Sequence, residues 1–163
     1  MIKFFAALAV VLLFTSCTTE PPKPIKALLL TGGCCHDYDA QKKLIKKFTS
    51  DKINVEWTVI HEGGKGGDHR FSIYEDKDWS DKYDVVVHNE CFAKTKDDAF
   101  ISKVVKDHLK TDIGVIMVHC AMHTFRDDKQ GTTYWRVLIG FQSKRPENEG
   151  AYVCEIFIVN AHH

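Results

Sequence analysis

The chain reads as an α/β protein built on a mainly parallel sheet with helices on both faces. Two observations predict this. Ile25–Leu30, Val85–His88 and Gly114–Val118 are short apolar or β-branched runs, the pattern of strands buried on both sides. Amphipathic stretches of helical period stand between them, so strand and helix alternate along the chain. A length of 163 residues with no internal repeat fits one domain.

Taken in order, Ile25–Leu30 is the first strand and runs into Thr31-Gly32-Gly33-Cys34-Cys35-His36-Asp37-Tyr38. Paired glycines after a buried strand allow a tight turn that brings backbone close to a ligand. Ala40–Thr49 is predicted helical, with Leu44, Ile45 and Phe48 on one side and lysines on the other. Asn54–Ile60 alternates as a strand. His61–Arg70 carries four glycines without the Lys-Ser/Thr of a phosphate loop, and reads as a surface loop. Val85–His88 is the next strand, ending in Asn89-Glu90-Cys91-Phe92. Lys96–Leu109 follows as a helix whose apolar stripe is Phe100, Ile101, Val104, Val105 and Leu109. Gly114–Val118 is a strand that ends at His119-Cys120. Tyr134–Ile139 is predicted as a short helical turn with Trp135 and Leu138 inward, and Ala151–Val159 alternates as a last strand.

Hydrophobic residues at 44% and charged residues at 27% are ordinary for a folded domain. Lys+Arg and Asp+Glu balance at 22 each, which argues against a nucleic-acid partner. At the N-terminus, Lys3 precedes an apolar run from Phe4 to Phe14, too short to span a bilayer and suited to a signal peptide over residues 1–16. Thr15-Ser16-Cys17 then reads as a bacterial lipoprotein site, with cleavage before Cys17 and lipid on that cysteine, so that the membrane is met through the anchor alone. Residues 17–24, rich in proline, read as a tether, and the domain itself as 25–163. The expected location is the bacterial cell envelope, periplasmic or outer surface. The other five cysteines are an odd set with no C-x-x-C spacing, and adjacent Cys34 and Cys35 would pair only under strain, so no disulfide framework is predicted.

Ligands of open parallel sheets bind beyond the carboxyl ends of the strands. Three strands here end in chemically able residues, which predicts one crevice holding His36, Asp37, Asn89, Glu90, His119, Cys120, His123 and Arg126. His119 and His123 are four apart, so a helix after the strand would aim both one way, as in two-histidine metal sites. His36 is the natural third ligand, and imidazoles suit one divalent transition metal such as zinc. His119 is the candidate central base, with Glu90 and Asp37 as catalytic carboxylates or supports for the ligands. Gly33, Asn89, Arg126 and Tyr134 are candidate substrate-binding residues: backbone approach, amide, cation and stacking ring. Arg126 has an alternative in a salt bridge with Asp127 or Asp128, and the histidines have one in strand-end packing. Cys120 lacks the glycine neighbours of a nucleophile elbow and reads as a buried thiol. Cys34, Cys35 and Cys154 read as core or turn residues.

The motifs Thr31-Gly32-Gly33…His36-Asp37-Tyr38, Asn89-Glu90-Cys91-Phe92, Gly114–Arg126 and Tyr134-Trp135-Arg136…Gly140…Ser143 together resemble the ThuA-like family, named for trehalose utilisation. The resemblance covers roughly Ile25 to His163, and its order and spacing carry it. It implies a flavodoxin-like three-layer α/β/α sandwich related to class I glutamine amidotransferases, and a role in carbohydrate metabolism with a small carbohydrate as ligand. Two departures stand out. The family's Ser-x-x-His is Ser143-Lys144-Arg145-Pro146 here, and the sequence stops where the family continues into further strands, so the domain is read as C-terminally truncated. The expected function is acid–base chemistry on a trehalose- or keto-sugar-type substrate, with metal assistance. The alternatives are a non-catalytic sugar-binding lipoprotein domain and a cysteine hydrolase of amidotransferase type.

Overall fold

The computed structural model describes residues 21–140 and 156–159. The segments read as signal peptide and lipidation site, Ser143 to Pro146, and the start of the last strand lie outside the described residues. Five strands form one sheet in the order β2-β1-β3-β4-β5. They are β1 (Ile25–Gly33), β2 (Val55–His61), β3 (Val85–Cys91), β4 (Gly114–Val118) and β5 (Ile156–Val159). The first four run parallel, and β5 pairs antiparallel with β4 along the register Val118↔Ile156. This is the strand order of a flavodoxin-like sheet, and its direction of growth reverses between β1 and β3.

Three helices connect the strands. In α1 (Tyr38–Ser50) the Asp37 carboxylate accepts from the backbone N–H of Ala40 at 2.9 Å. In α2 (Asp98–Leu109) Asp97 plays the same part for Phe100, and in α3 (Lys129–Ile139) Asp128 does so for Gly131. Gly140, at φ +76, closes α3 in the left-handed conformation common just past a helix end. Helix α3 is longer than the stretch predicted from its apolar residues, because Asp128 caps it six residues before Tyr134, where that stretch begins. Two short 3-10 turns, Ser72–Glu75 and Trp79–Lys82, lie between β2 and β3.

Strand alternation divides the core. Leu28, Leu30, Val86, Val115 and Met117 face one side, where they pack with Ile101, Val104 and Val105 of α2 and Trp135, Leu138 and Ile139 of α3. The α2 stripe differs from expectation at its end. His108 is 1% exposed and Leu109 is 49% exposed, because His108 lies seven residues beyond Ile101 on the same face and Leu109 is turned off it. Helix α1 lies against the other side. Its predicted inner residues Leu44 and Phe48 remain exposed, and with Ala27, Val87, Ile116 and Val118 of the sheet they line an apolar groove of about 830 Å³ among the described residues. No helix among the described residues is long and apolar enough to cross a membrane.

Candidate functional site

The site begins with two glycines. Gly32 and Gly33 take φ of +142 and +103, which L side chains rarely adopt. A Cβ on Gly33 would stand 2.5 Å from the carbonyl oxygen of Cys91, so only glycine lets β1 stay paired with β3 to its last residue. The pairing extends β1 three residues beyond the predicted Leu30. It also sets the following turn, Cys34-Cys35-His36-Asp37, over the ends of β3 and β4.

Strand β4 ends just as abruptly. His119 has φ +42, uncommon for a residue with a side chain. It opens a 3-10 turn, His119–His123, where an α-helical turn was the premise for pairing His119 with His123. In a 3-10 turn residues three apart stack, and residues four apart do not. His123 therefore leaves the predicted ligand trio, and Cys120 takes its place. The ligand atoms of His36, His119 and Cys120 all lie within 4.8 Å of one another. His36 Nε2 is 3.0 Å from Cys120 Sγ, and the rings of His36 and His119 meet edge to face at 5.1 Å.

These three groups could hold a metal ion: two imidazoles and a thiolate are donors for a borderline transition metal. Burial, together with neighbouring His36, lowers the pKa of His119 and keeps its ring neutral and able to donate a lone pair. The Cys91 thiol donating to its sulfur lowers the pKa of Cys120, with help from Arg126 and against burial. His123 is lowered by burial, Arg126 and His119. Beside His36 opens a cleft of about 690 Å³, lined by Gly33, Asp37, Asp39, His61 and Lys65 among others.

A second set of donors sits against the first. The sulfurs of Cys34, Cys35 and Cys91 lie within 4.8 Å of one another, and Cys35 Sγ is 2.8 Å from Cys34 Sγ. All four described cysteines are free thiols. Hydrogen bonding to Cys34 and burial push Cys35 up to about 12. Residue spacing hid this group, because Cys91 is 56 positions from Cys35 and meets it only through the Gly33–Cys91 register. The Gly-Gly-Cys-Cys turn beside a strand-end cysteine was the available signal.

Several predicted residues stand elsewhere. Glu90 is 1% exposed and belongs to the α2 side of the sheet, since it alternates with Cys91, and it does not reach the crevice. Its Oε1 lies 2.9 Å from His88 Nδ1, His88 Nε2 is 3.0 Å from His108 Nε2, and His108 Nδ1 donates to the Val104 carbonyl at 2.7 Å. That last bond assigns every proton in the row when the rings are neutral. His108 carries its hydrogen on Nδ1 and accepts at Nε2 from His88, which then accepts at Nδ1 from a protonated Glu90. Burial drives all three toward neutrality, raising Glu90 well above the usual carboxylate range and lowering His88 and His108 to about 3. Asn89 faces the α1 side but is buried at 2%, with its amide directed to Thr31 Oγ1 at 3.4 Å. Tyr134 lines the groove between α2 and α3, across the sheet from the cleft. Asp37 lines the cleft, yet one of its oxygens caps α1. Arg126 pairs with Asp127 at 3.8 Å and still acts on Cys91, Cys120 and His123 through its charge. Gly33 stands at the cleft wall.

No family model, curated protein or solved structure matches this chain.

Proposed function

We propose that this is a ThuA-like, envelope-anchored protein that processes a small carbohydrate of trehalose or keto-sugar type by metal-assisted acid–base chemistry. The observation that carries the reading is the convergence of His36, His119 and Cys120 beside a polar cleft at the carboxyl ends of β1 and β4. These three residues would hold one divalent transition metal, zinc or a similar ion. Such an ion supplies Lewis acidity toward a carbonyl or a bound water. The chain's own groups do the rest. Asp37, Asp39, His61 and Lys65 offer acceptors and donors to sugar hydroxyls along the cleft wall. Gly33 removes side-chain bulk where the ligand meets the strand end. His123 and Arg126, next to the trio, are placed to move a proton and to hold developing negative charge.

The test is metal content by plasma mass spectrometry on untagged protein, with His36→Ala, His119→Ala and Cys120→Ser beside it. About one equivalent in the parent, lost in each variant, supports the reading. Folded parent protein without bound metal after incubation with zinc sinks it. Calorimetric titration with keto- and disaccharides then separates catalysis from simple binding: a sugar that binds and is never turned over favours the non-catalytic domain.

One contact favours a second reading. The 3.0 Å approach of His36 Nε2 to Cys120 Sγ is the geometry of a base and its nucleophile, and Cys120 is the thiol whose pKa is lowered. In that case Cys120 forms the covalent bond in an amidotransferase-type hydrolysis. Rapid, single-site alkylation of Cys120 by iodoacetamide, abolished in His36→Ala and unaffected by chelator, favours the thiol. Protection of Cys120 by zinc favours the metal.

A further inference from the structure

We infer that Cys34, Cys35 and Cys91 form a second, all-sulfur metal site that takes one soft monovalent ion, copper(I), in trigonal coordination. This goes beyond the function proposed above and does not depend on it.

The backbone is built to converge these sulfurs. Gly33 pairs with Cys91, and the Cys34 amide reaches the Cys91 carbonyl at 3.5 Å, with Cys34 Sγ 3.7 Å from the same oxygen. Neighbouring residues of an extended chain point their side chains apart. Cys35 avoids this by adopting φ +85, a left-handed conformation that costs a β-carbon residue free energy and brings the two adjacent thiols together. Strained non-glycine positions of this kind gather at ligand sites. Burial is graded across the trio. Cys91 is buried at 4%, Cys34 is intermediate and Cys35 is exposed, so the site has a fixed base and an open mouth.

Dimensions and donor type choose the ion. Metal–thiolate bonds of about 2.3 Å place three sulfurs of a trigonal site about 4 Å apart. That lies within the 4.8 Å spread of this trio. Cys34 and Cys35 are closer than that, at 2.8 Å, and the exposed Cys35 side chain can rotate outward to admit the ion. No carboxylate or imidazole belongs to this trio, and thiolates alone select soft cations. Zinc calls for a fourth ligand. The nearest further sulfur, Cys120, lies against Cys91 but is grouped with His36 and His119. With Cys120 engaged by His36 Nε2 at 3.0 Å, the three remaining sulfurs suit copper(I). Binding exchanges three S–H protons for the ion, and no electron is transferred.

The test is anaerobic titration of the reduced full chain with copper(I) held by a chromophoric chelator. The parent protein is expected to withdraw one equivalent, with three sulfur neighbours in its X-ray absorption spectrum. Cys35→Ser, an exposed position that leaves the core intact, is expected to weaken retention about a hundredfold or more, since loss of a supporting partner alone costs up to that much. The His36→Ala/His119→Ala double variant is expected to retain copper(I) as tightly as the parent. The proposal falls if folded, reduced parent leaves the copper with the chelator. It falls equally if the double-histidine variant loses as much affinity as Cys35→Ser, or if nitrogen appears among the ligands. Loss of zinc binding with copper(I) binding intact would overturn the proposed function and leave this site standing.

Discussion

Two histidine clusters lie on opposite faces of the same sheet, and their chemistry diverges because of where the strands put them. At the open end, His36, His119 and Cys120 converge, and His36 also lines the cleft. Behind β3, His88, Glu90 and His108 form a row in which each is no more than 1% exposed, walled by Tyr74, Trp79 and Trp135. The open cluster sets two partly exposed imidazoles, where a ligand can reach them, over the buried Cys120. The closed row spends its described donors and acceptors internally, except for Glu90 Oε2, which has no partner among the described residues. Histidine content alone therefore says little about function. A buried imidazole that is fully hydrogen-bonded is a packing element that specifies one arrangement of its neighbours.

The contrast can be broken in measurable ways. The largest effect belongs to the open cluster: His119→Ala or Cys120→Ser is expected to remove bound divalent metal, about a hundredfold or more in affinity, while the denaturation midpoint moves little. The closed row should answer in the opposite sense. His88→Ala is expected to cost about 3 kcal/mol in chemical denaturation, by cavity and by orphaning Glu90 and His108, and to leave metal content at the parent level. Equal loss of metal in both variants would erase the distinction between the clusters.

Acid titration sharpens it next. His88 and His108 have folded pKa values of about 3 against an ordinary 6.5, so their contribution is present above pH 6.5 and is lost as pH falls toward 3. Glu90 has the opposite sign. Its folded pKa is raised above 4.5, so unfolding releases its proton until pH drops below 4.5. The other ionisable groups among the described residues whose charges bear on this row are Tyr38, Tyr74 and Asp107. Unfolding should therefore take up protons at the two histidines as pH falls from 6.5 toward 3, offset above pH 4.5 by the proton that Glu90 releases. Proton uptake measured from the pH dependence of stability checks this. Glu90→Gln should keep stability within about 1 kcal/mol at neutral pH, because the amide still donates to His88 Nδ1. It should also remove the offsetting release and so raise the uptake above pH 4.5. A large destabilisation would mean that Glu90 is ionised.

The smallest effect tests strain. His119→Gly removes the side chain from φ +42, and is expected to raise stability by up to about 1 kcal/mol while abolishing metal binding. A drop in stability would show that the His119 ring holds the strand end together.

Much of the sheet was readable from apolar runs and periodicity, because a strand buried on both faces admits little else. Val85–His88 and Gly114–Val118 announce themselves in this way. The site was half readable. Strand ends pointed to His36, His119 and Cys120, yet the sequence placed Glu90 with them. A single step along β3 sends Glu90 and Cys91 to opposite faces, and which face is which depends on the β1 partner. His108 was hidden for a related reason: it sits on the buried stripe of α2, where an apolar count skips it in favour of Leu109.

The sequence by itself determined the alternation of strand and helix and the tight glycine turn after β1. Each of these is settled within a few residues, by side-chain period or by backbone freedom. Only the tertiary structure decided which side of the sheet each strand-end residue faces, and whether the turn after β4 is 3-10 or α. It alone brought Cys34, Cys35 and Cys91 together across more than fifty positions. Those outcomes depend on register and packing between distant segments, and no local pattern contains them.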